Sequence, residues 1–283
     1  MEYKEWRDKQ YDGFKLEFID NRIVIIYYDN PPVNAGARGM LKALEEIYFG
    51  IGDDEDIRCS IITGNDTPYK NKHYFSAGAD VKAWSSRDQG KAARTMPIRP
   101  MINPPLPNRG EVCFNNGKPT IAMVNGTAVG AGADHVIACD IAIAADNARI
   151  GWSYIQRGGI PYDGGTWLLP RRIGLSNAFE LLTTGRIIDA EEAYRLGIFT
   201  KVVPHNQLRE TTLELAQWYA KGPPLAIGAT RALIYQGLSQ TYKEHMETLR
   251  FAAGCVGVDR KEGMASWAEK REPQWEGKGI TSS

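Results

Sequence analysis

Residues 119–144 read PTIAMVNGTAVGAGADHVIACDIAIA, and this segment decides the fold. Its first six residues, Pro119 to Val124, form an unbroken apolar run typical of a strand buried in a parallel sheet. A turn rich in glycine and alanine follows and leads into His135 to Ala138, which predicts a helix. A second apolar run, Ile141 to Ala144, predicts the next strand. A strand, a helix and a strand in this order indicate an α/β unit.

The rest of the chain extends this pattern. Residues 14–28 hold two strand-like runs around Asp20-Asn21, which predicts a hairpin. Apolar spacing predicts a helix from Met40 to Phe49 that ends at Gly50, and a strand over residues 60–64. Further predicted helices start at about Thr166 and cover Leu175 to Thr184 and Asp189 to Leu196. We therefore expect an α/β core over residues 1–205 and a helical region over residues 206–283.

Composition narrows the classes of function. The 283 residues carry 34 Lys and Arg against 34 Asp and Glu, which argues against binding to nucleic acid or to a charged membrane surface. No apolar run approaches the ~18 residues of a membrane span. The four cysteines have no metal-ligand spacing, and the charged N-terminus lacks the order of a signal peptide. We expect a cytoplasmic protein with reduced thiols.

Eight of the 29 glycines lie in three turns that follow predicted strands, at residues 77–80, 126–132 and 158–165. Small residues let a ligand approach backbone N–H groups, and a helix start directs such groups outward. Two of these donors converging on one oxygen make an oxyanion hole. Alternatively, the glycines only permit tight reversals of the chain. None of the turns matches a phosphate-binding loop.

Five segments, in chain order, match motifs of one enzyme family. They are FSAGADVK (75–82), KPTIA with NG, GAG and CD (118–140), GGT with LPRRIG (164–174), TG with LG (184–197) and EGM with EKREP (262–273). On these motifs the chain resembles the enoyl-CoA hydratase/isomerase (crotonase) family over nearly its whole length. The resemblance implies a spiral of ββα units followed by a helical region that assembles trimers, often as a hexamer.

The resemblance also implies an acyl-CoA thioester as substrate, with coenzyme A as part of that substrate and no separate cofactor. It puts the oxyanion hole on the backbone N–H groups of Ala79 and Ala131. The second donor is usually glycine, and alanine is tolerable unless that position needs a positive φ. Further positions expected to contact the substrate are Asn34 and Ala35 at the adenine end, together with Ala77, Gly78, Asp80 and Trp84.

Three side chains are the candidates for acid–base chemistry. The family's hydratases grip one water with two glutamates, and this chain has Asp134 at one of those positions and Tyr154 at the other. Relatives with an acid at the position of Asp163 use it in catalysis, which makes Asp163 the leading candidate. Each has a structural alternative: Asp163 and Asp134 as helix caps, and Tyr154 as a packed tyrosine.

His73, His135, His205 and His245 are isolated in the sequence, so no metal site is predicted. For His135 we expect a partly buried structural position. Its neighbour Asp134 should face another way, because adjacent helical residues diverge. A serine triad is also unsupported, since the chain has no G-x-S-x-G motif.

The expected function is therefore enoyl-CoA double-bond isomerisation or hydration through a thioester enolate, with an aspartate as acid or base. One alternative is retro-Claisen C–C hydrolysis of a cyclic β-diketone or β-ketoacyl-CoA, although a tyrosine at position 154 counts against it. Another is a non-catalytic relative that binds CoA or RNA. The neutral charge and the presence of Asp163 disfavour binding to RNA. The proline-rich residues 97–119 fall where the family builds its acyl-binding wall.

Overall fold

The computed structural model describes residues 5–36, 40–80, 113 and 116–277, and over these residues the chain forms two sheets. The larger one has the strand order β1-β2-β3-β5-β7-β10. Its strands are β1 (Phe14–Ile19), β2 (Ile23–Tyr28), β3 (Cys59–Gly64), β5 (Thr120–Val124), β7 (Ile141–Ala145) and β10 (Lys201–Val203). Only the β1–β2 hairpin is antiparallel. It turns at Asp20 and Asn21, both with positive φ, as the sequence predicts.

The smaller sheet has the order β4-β6-β8-β9. Its strands are β4 (Tyr74–Ser76), β6 (Thr127–Val129), β8 (Arg149–Gly151) and β9 (Ile187–Asp189). The first three run parallel, and β9 is antiparallel to β8. Because β4, β6 and β8 are parallel neighbours, the segments that follow them leave the sheet at one edge.

Helices connect and cover the strands. They are α1 (Glu5–Asp8), α2 (Met40–Asp53), α3 (Ala131–Ala138), α4 (Gly165–Ile173), α5 (Leu175–Thr184), α6 (Ala190–Leu196), α7 (Leu208–Lys221), α8 (Pro224–Gly237), α9 (Tyr242–Cys255) and α10 (Gly257–Glu269). Short 3₁₀ turns lie at Ile155–Arg157 and His205–Gln207. None of the helices in the described ranges is long and apolar enough to cross a membrane.

Both faces of the larger sheet are buried. On β3, Ile62 packs into the cluster with α2 and α3, whereas its neighbour Ile61 packs into a second cluster that includes Ala216 of α7. A strand covered on both faces favours apolar residues at consecutive positions, which explains the nearly continuous apolar runs in the sequence. The α/β architecture with a helical C-terminal region is thus confirmed. The boundary at residues 205/206 stays a prediction, and the first long helix beyond it, α7, lies on the sheet.

Three local expectations need correction. Helix α2 continues beyond Gly50 to Asp53. Gly50 lies against the ring of Trp6, where a Cβ would come within 2.5 Å, so this glycine serves packing and does not end the helix. Helix α3 begins at Ala131, not at His135, because alanine and glycine carry no apolar periodicity that would reveal its first turn. The third glycine-rich turn follows the 3₁₀ turn Ile155–Arg157 and not a strand.

Candidate active site

The segments after β4, β6 and β8 meet at one edge of the smaller sheet. They carry the 77–80 turn, the start of α3 and the residues from Trp152 to Tyr154, respectively. The ends of neighbouring parallel strands are a common place for ligand sites in α/β proteins. Residues far apart in the sequence therefore come together here without any local signal that they do so.

The turn at Gly78 lies directly on the backbone before α3. Gly78 has φ +81°, and a Cβ there would lie 2.5 Å from the Val129 carbonyl oxygen and 3.3 Å from the Ala131 nitrogen. Glycine is therefore required both by the backbone conformation and by the close approach. This contact brings the backbone around Ala79 next to the first residue of α3.

The N–H groups of Ala79 and Ala131 donate to no other group within the described part of the chain. Their neighbours are engaged: the Ala77 N–H donates to the Val33 carbonyl at 3.0 Å, and the Asp80 N–H to the Gly36 carbonyl at 3.1 Å. Ala131 is helical and is not among the residues with positive φ, so alanine is accommodated there. The first turn of a helix leaves such N–H groups without an intrahelical acceptor.

Asp134 lies behind this edge with its carboxylate completely buried. The Trp152 indole donates to Oδ1 at 2.8 Å, and the Tyr154 hydroxyl donates to Oδ2 at 2.7 Å. Burial raises the pKa of Asp134 to about 7. The charge of Asp163 also raises it, whereas hydrogen bonds from Tyr154, Trp152 and the Asp163 backbone lower it. The carboxyl therefore changes protonation near neutral pH.

Tyr154 joins Asp134 to the turn before α3. Its half-buried ring lies beside Gly130, where a Cβ would be 3.7 Å from Cζ, and it packs edge-on against Tyr162 with ring centroids 5.8 Å apart. The tyrosine hydroxyl is thus held at Asp134, while its ring lies against Gly130, the residue that precedes Ala131.

Asp163 is buried beside Asp134, just before α4. The expectation that it could cap this helix is wrong: the capping position is Gly164, with φ +101° and no side-chain cap. The same holds for Asp134, which lies inside α3 behind the capping residue Gly130. At Gly165 a Cβ would lie 2.3 Å from Asp134 Oδ1, so glycine there permits the approach of α4 to the carboxylate.

The loop that carries Asn34 and Ala35 is held by its own polar groups. The buried Asn34 side chain donates to the Tyr74 carbonyl at 2.8 Å, and Asn30 donates to the Ala35 carbonyl at 2.6 Å. The side chain of Asn34 therefore faces the protein. Ala35, Ala77, Gly78 and Asp80 remain predicted substrate contacts, and Trp84 lies outside the described residues.

His135 is completely buried, not partly, and it faces away from Asp134 as expected. The hydroxyls of Tyr28 and Tyr48 lie 2.6 Å from its Nδ1 and 2.9 Å from its Nε2. Sequence reasoning missed these partners, and also the role of Trp152 as a hydrogen-bond donor to Asp134. It further treated His73 and His205 as isolated, yet their rings lie 4.3 Å apart. Spacing along the chain contains no signal for any of these contacts.

Comparison with known proteins agrees with this architecture. The sequence profile described as Enoyl-CoA hydratase/isomerase matches residues 19–278. The chain is 33% identical over 265 residues to the carnitinyl-CoA dehydratase of Salmonella typhimurium, covering 90% of this chain and 95% of that protein. It is 30% identical over 266 residues to a probable enoyl-CoA hydratase of Bacillus subtilis, covering 92% and 97%.

A solved structure shows the same fold. The enoyl-CoA hydratase from Bacillus anthracis superposes with a TM-score of 0.83 at 29% identity, covering 94% of this chain and all (100%) of that one. Together, the matched profile, the two relatives and the shared fold extend over the two sheets and the helical region alike. The chain therefore belongs to the enoyl-CoA hydratase/isomerase family of acyl-CoA enzymes.

Proposed function

We propose that the protein moves a proton on an enoyl-CoA thioester through an enolate, in reversible hydration and dehydration. The observation that carries the proposal lies at one sheet edge. There the N–H groups of Ala79 and Ala131, which have no acceptor among the described residues, meet the buried Asp134 and its partner Tyr154. Such a site combines hydrogen-bond donors that stabilise negative charge with a carboxyl, Asp134, that exchanges a proton near neutral pH.

In this proposal the two N–H groups bind the thioester oxygen. Negative charge grows on that oxygen when a proton leaves the α-carbon, and fixed donors stabilise it without reorganising. Loss of one such donor lowers the turnover of an enzyme by roughly 10²–10³-fold. Ala77, Gly78 and Asp80 flank the thioester, and Asn34 shapes the loop on which Ala35 meets the adenine end.

The acid–base groups are Asp163 and, through Tyr154, Asp134. In dehydration one carboxylate takes the α-proton, and the β-hydroxyl leaves as water after accepting a proton from the second acid. Hydration is the reverse. An acid–base pair needs one group that accepts a proton and one that donates it, and in this proposal the two neighbouring carboxyls supply these roles.

Double-bond isomerisation is the second candidate. It needs the same enolate, with one group removing a proton at one carbon and returning it at another. The specific observation in its favour is Tyr154 at the position of the second hydratase glutamate, because the tyrosine is already engaged by Asp134. The names of the two relatives, a dehydratase and a hydratase, favour hydration.

Asp163→Asn tests the assignment. We expect this variant to fold and to bind acyl-CoA normally while its turnover falls at least ~100-fold, since general catalysis typically contributes roughly 10²–10⁴-fold. The exposed Asp146→Asn is the matched control and should keep full activity. Full activity of Asp163→Asn would contradict the proposal.

A second experiment identifies the reaction. The protein is incubated with enoyl-, dienoyl- and cyclic β-ketoacyl-CoA thioesters, and the mass and absorbance spectrum of each product are measured. Gain of one water with any ring intact indicates hydration, and a changed spectrum at constant mass indicates isomerisation. Ring opening indicates C–C hydrolysis and would overturn the proposal. Complete inactivity together with tight CoA binding would identify a non-catalytic relative.

We further propose that the chain self-associates as a trimer or a hexamer of two trimers. The support is a set of large apolar side chains that the isolated chain leaves exposed on its helices, namely Leu175, Phe179, Trp218, Tyr242, Phe251 and Trp267. Burial of these side chains between subunits would remove their apolar surface from water.

A further inference from the structure

A second polar cluster lies away from the candidate active site. His73 Nδ1 is 2.9 Å from Asp66 Oδ1, and His205 Nε2 is 3.3 Å from the same oxygen. All three atoms lie within 4.8 Å of one another. His73 immediately precedes β4, whereas the 77–80 turn follows that strand, so the cluster occupies the opposite end of β4. It is therefore separate from the acid–base groups.

The two ring nitrogens are buried, and within the described residues neither has a hydrogen-bond partner. Each is close to the carboxylate oxygen, but no N–H points at it with acceptable geometry. A pair of buried imidazole nitrogens beside one carboxylate normally needs an explanation. A cation held between the three atoms supplies one, because each nitrogen would then direct its lone pair to the cation and not to the oxygen.

The distances fit a small transition-metal ion. Zinc binds histidine nitrogen at about 2.0–2.1 Å and carboxylate oxygen at about 2.0–2.2 Å, so ligand atoms around a tetrahedral ion lie roughly 3.3 Å apart. The observed separations of 2.9 and 3.3 Å are close to this value. Two imidazoles and one carboxylate form a donor set that selects zinc, because calcium and magnesium bind mainly oxygen ligands.

The surrounding residues hold the ligands in place. The Asn125 amide donates to Asp66 Oδ1 at 3.2 Å and to the Gly64 carbonyl at 3.0 Å, and it accepts from the Gly64 N–H. The His73 carbonyl accepts from the Thr127 N–H at 2.9 Å. Partners of this kind orient metal ligands and tune their affinity. Asp66 itself is 60% exposed, which leaves a side open for water.

We propose that Asp66, His73 and His205 form a Zn²⁺ site. Its ligands come from the loop after β3, the residue before β4 and the 3₁₀ turn between β10 and α7. The bound ion would thus tie the α/β core to the start of the helical region. Because the site lies at the far end of β4, its role is to stabilise this junction and not to take part in proton transfer.

The experiment titrates the full chain, without a histidine tag, with Zn²⁺ against a chromophoric chelator. We expect one ion per chain. His205→Gln and Asp66→Asn should each weaken Zn²⁺ binding at least ~10-fold. Loss of a residue that only orients a metal ligand already costs about that much, so loss of a ligand should cost no less. His245→Gln, on α9, is the matched control and should bind like the parent chain. Circular dichroism establishes that each variant is folded.

Two further measurements distinguish this site from the buried cluster of Cys113, His135 and Cys139. Co²⁺ in the proposed site should give visible bands without the near-ultraviolet charge transfer of a cobalt–thiolate bond. Zn²⁺ should also raise the unfolding temperature of the parent chain but not of His205→Gln. No binding by the parent chain, unchanged binding by both ligand variants, or a thiolate band would overturn the proposal.

Discussion

At the scale of single residues, the carboxyl of Asp134 shows how burial changes the acidity of a side chain. Its pKa rises from an ordinary value of 3.8 to about 7, chiefly because burial penalises the charged form. Between about pH 4 and pH 7 the folded state therefore holds a proton that the unfolded state has released. The contribution of the protonated carboxyl to stability is fully present below about pH 4. It is lost as the pH rises through the folded pKa of about 7.

We predict that Asp134→Asn removes this pH dependence. Above pH 7 the ionised carboxylate costs the parent protein about 4 kcal/mol relative to acidic pH, from 1.36 kcal/mol for each pKa unit. The amide carries no such cost, so the stability of the variant relative to the parent should increase from pH 4 to pH 8. Urea unfolding at both pH values, at equal protein concentration, measures it. Parallel stability curves would contradict the prediction.

Tyr154→Phe probes the same pair from the other side. The tyrosine hydroxyl lowers the pKa of Asp134, so its removal should raise that pKa further. If Asp134 acts through Tyr154, kcat falls, and the limb of the kcat/KM profile near pH 7 moves to higher pH. A profile identical in shape and position to that of the parent would show that this pair takes no part in proton transfer.

At the scale of elements, glycine decides how closely helices and strands approach. Gly132, in α3, faces β4, where a Cβ would lie 2.5 Å from the Ser76 carbonyl oxygen. This contact holds the two turns that carry Ala79 and Ala131 together. The Cβ of a larger residue at position 132 would meet a backbone carbonyl, which cannot move aside as a flexible side chain could.

We predict that Gly132→Ala destabilises the protein by ~1–3 kcal/mol through overpacking and lowers kcat/KM by separating the two N–H groups. The matched control is Gly228→Ala in α8, where the added Cβ would meet only the Gly117 carbonyl at 3.6 Å. There the lower backbone entropy of alanine should stabilise by ~0.5–1 kcal/mol. Thermal unfolding compares the two variants, and a similar response from both would contradict the argument.

At the scale of the whole molecule, a partly buried ion pair connects the helical region to the sheet. Arg231 of α8 donates to Asp140, just before β7, at 2.9 Å, and the Tyr235 hydroxyl donates to the same carboxylate at 2.6 Å. Together with α7 on the sheet, these contacts hold the start of the helical region to the core. Beyond these contacts, α9 and α10 present the exposed apolar side chains of Tyr242, Phe251 and Trp267.

We predict a particle of three or six chain masses by light scattering after size exclusion. Phe251 is 78% exposed on α9, and Phe251→Glu should shift the mass towards the monomer, because a buried unpaired charge disfavours an apolar contact. Lys243→Glu on the same helix is the control and should leave the mass unchanged. A monomeric parent protein would contradict the proposed assembly.

The sequence by itself determined the α/β class, the hairpin, the buried strands of the larger sheet and the helical C-terminal region. These follow from apolar periodicity and from turn residues, which act over a few neighbouring positions. The motif order also identified the family and marked Asp134, Tyr154 and Asp163 for attention. It could not show that Trp152 holds Asp134, or that neither aspartate caps a helix.

Only the tertiary structure decided which distant residues meet. Parallel strands bring Gly78 onto the backbone of Ala131, and the chain returns from β10 to set His205 beside His73. Burial, too, is a property of the packed molecule, so the pKa of Asp134 has no counterpart in the sequence. Local pattern specifies elements because its interactions are short in range, whereas the site depends on contacts between segments that only folding brings together.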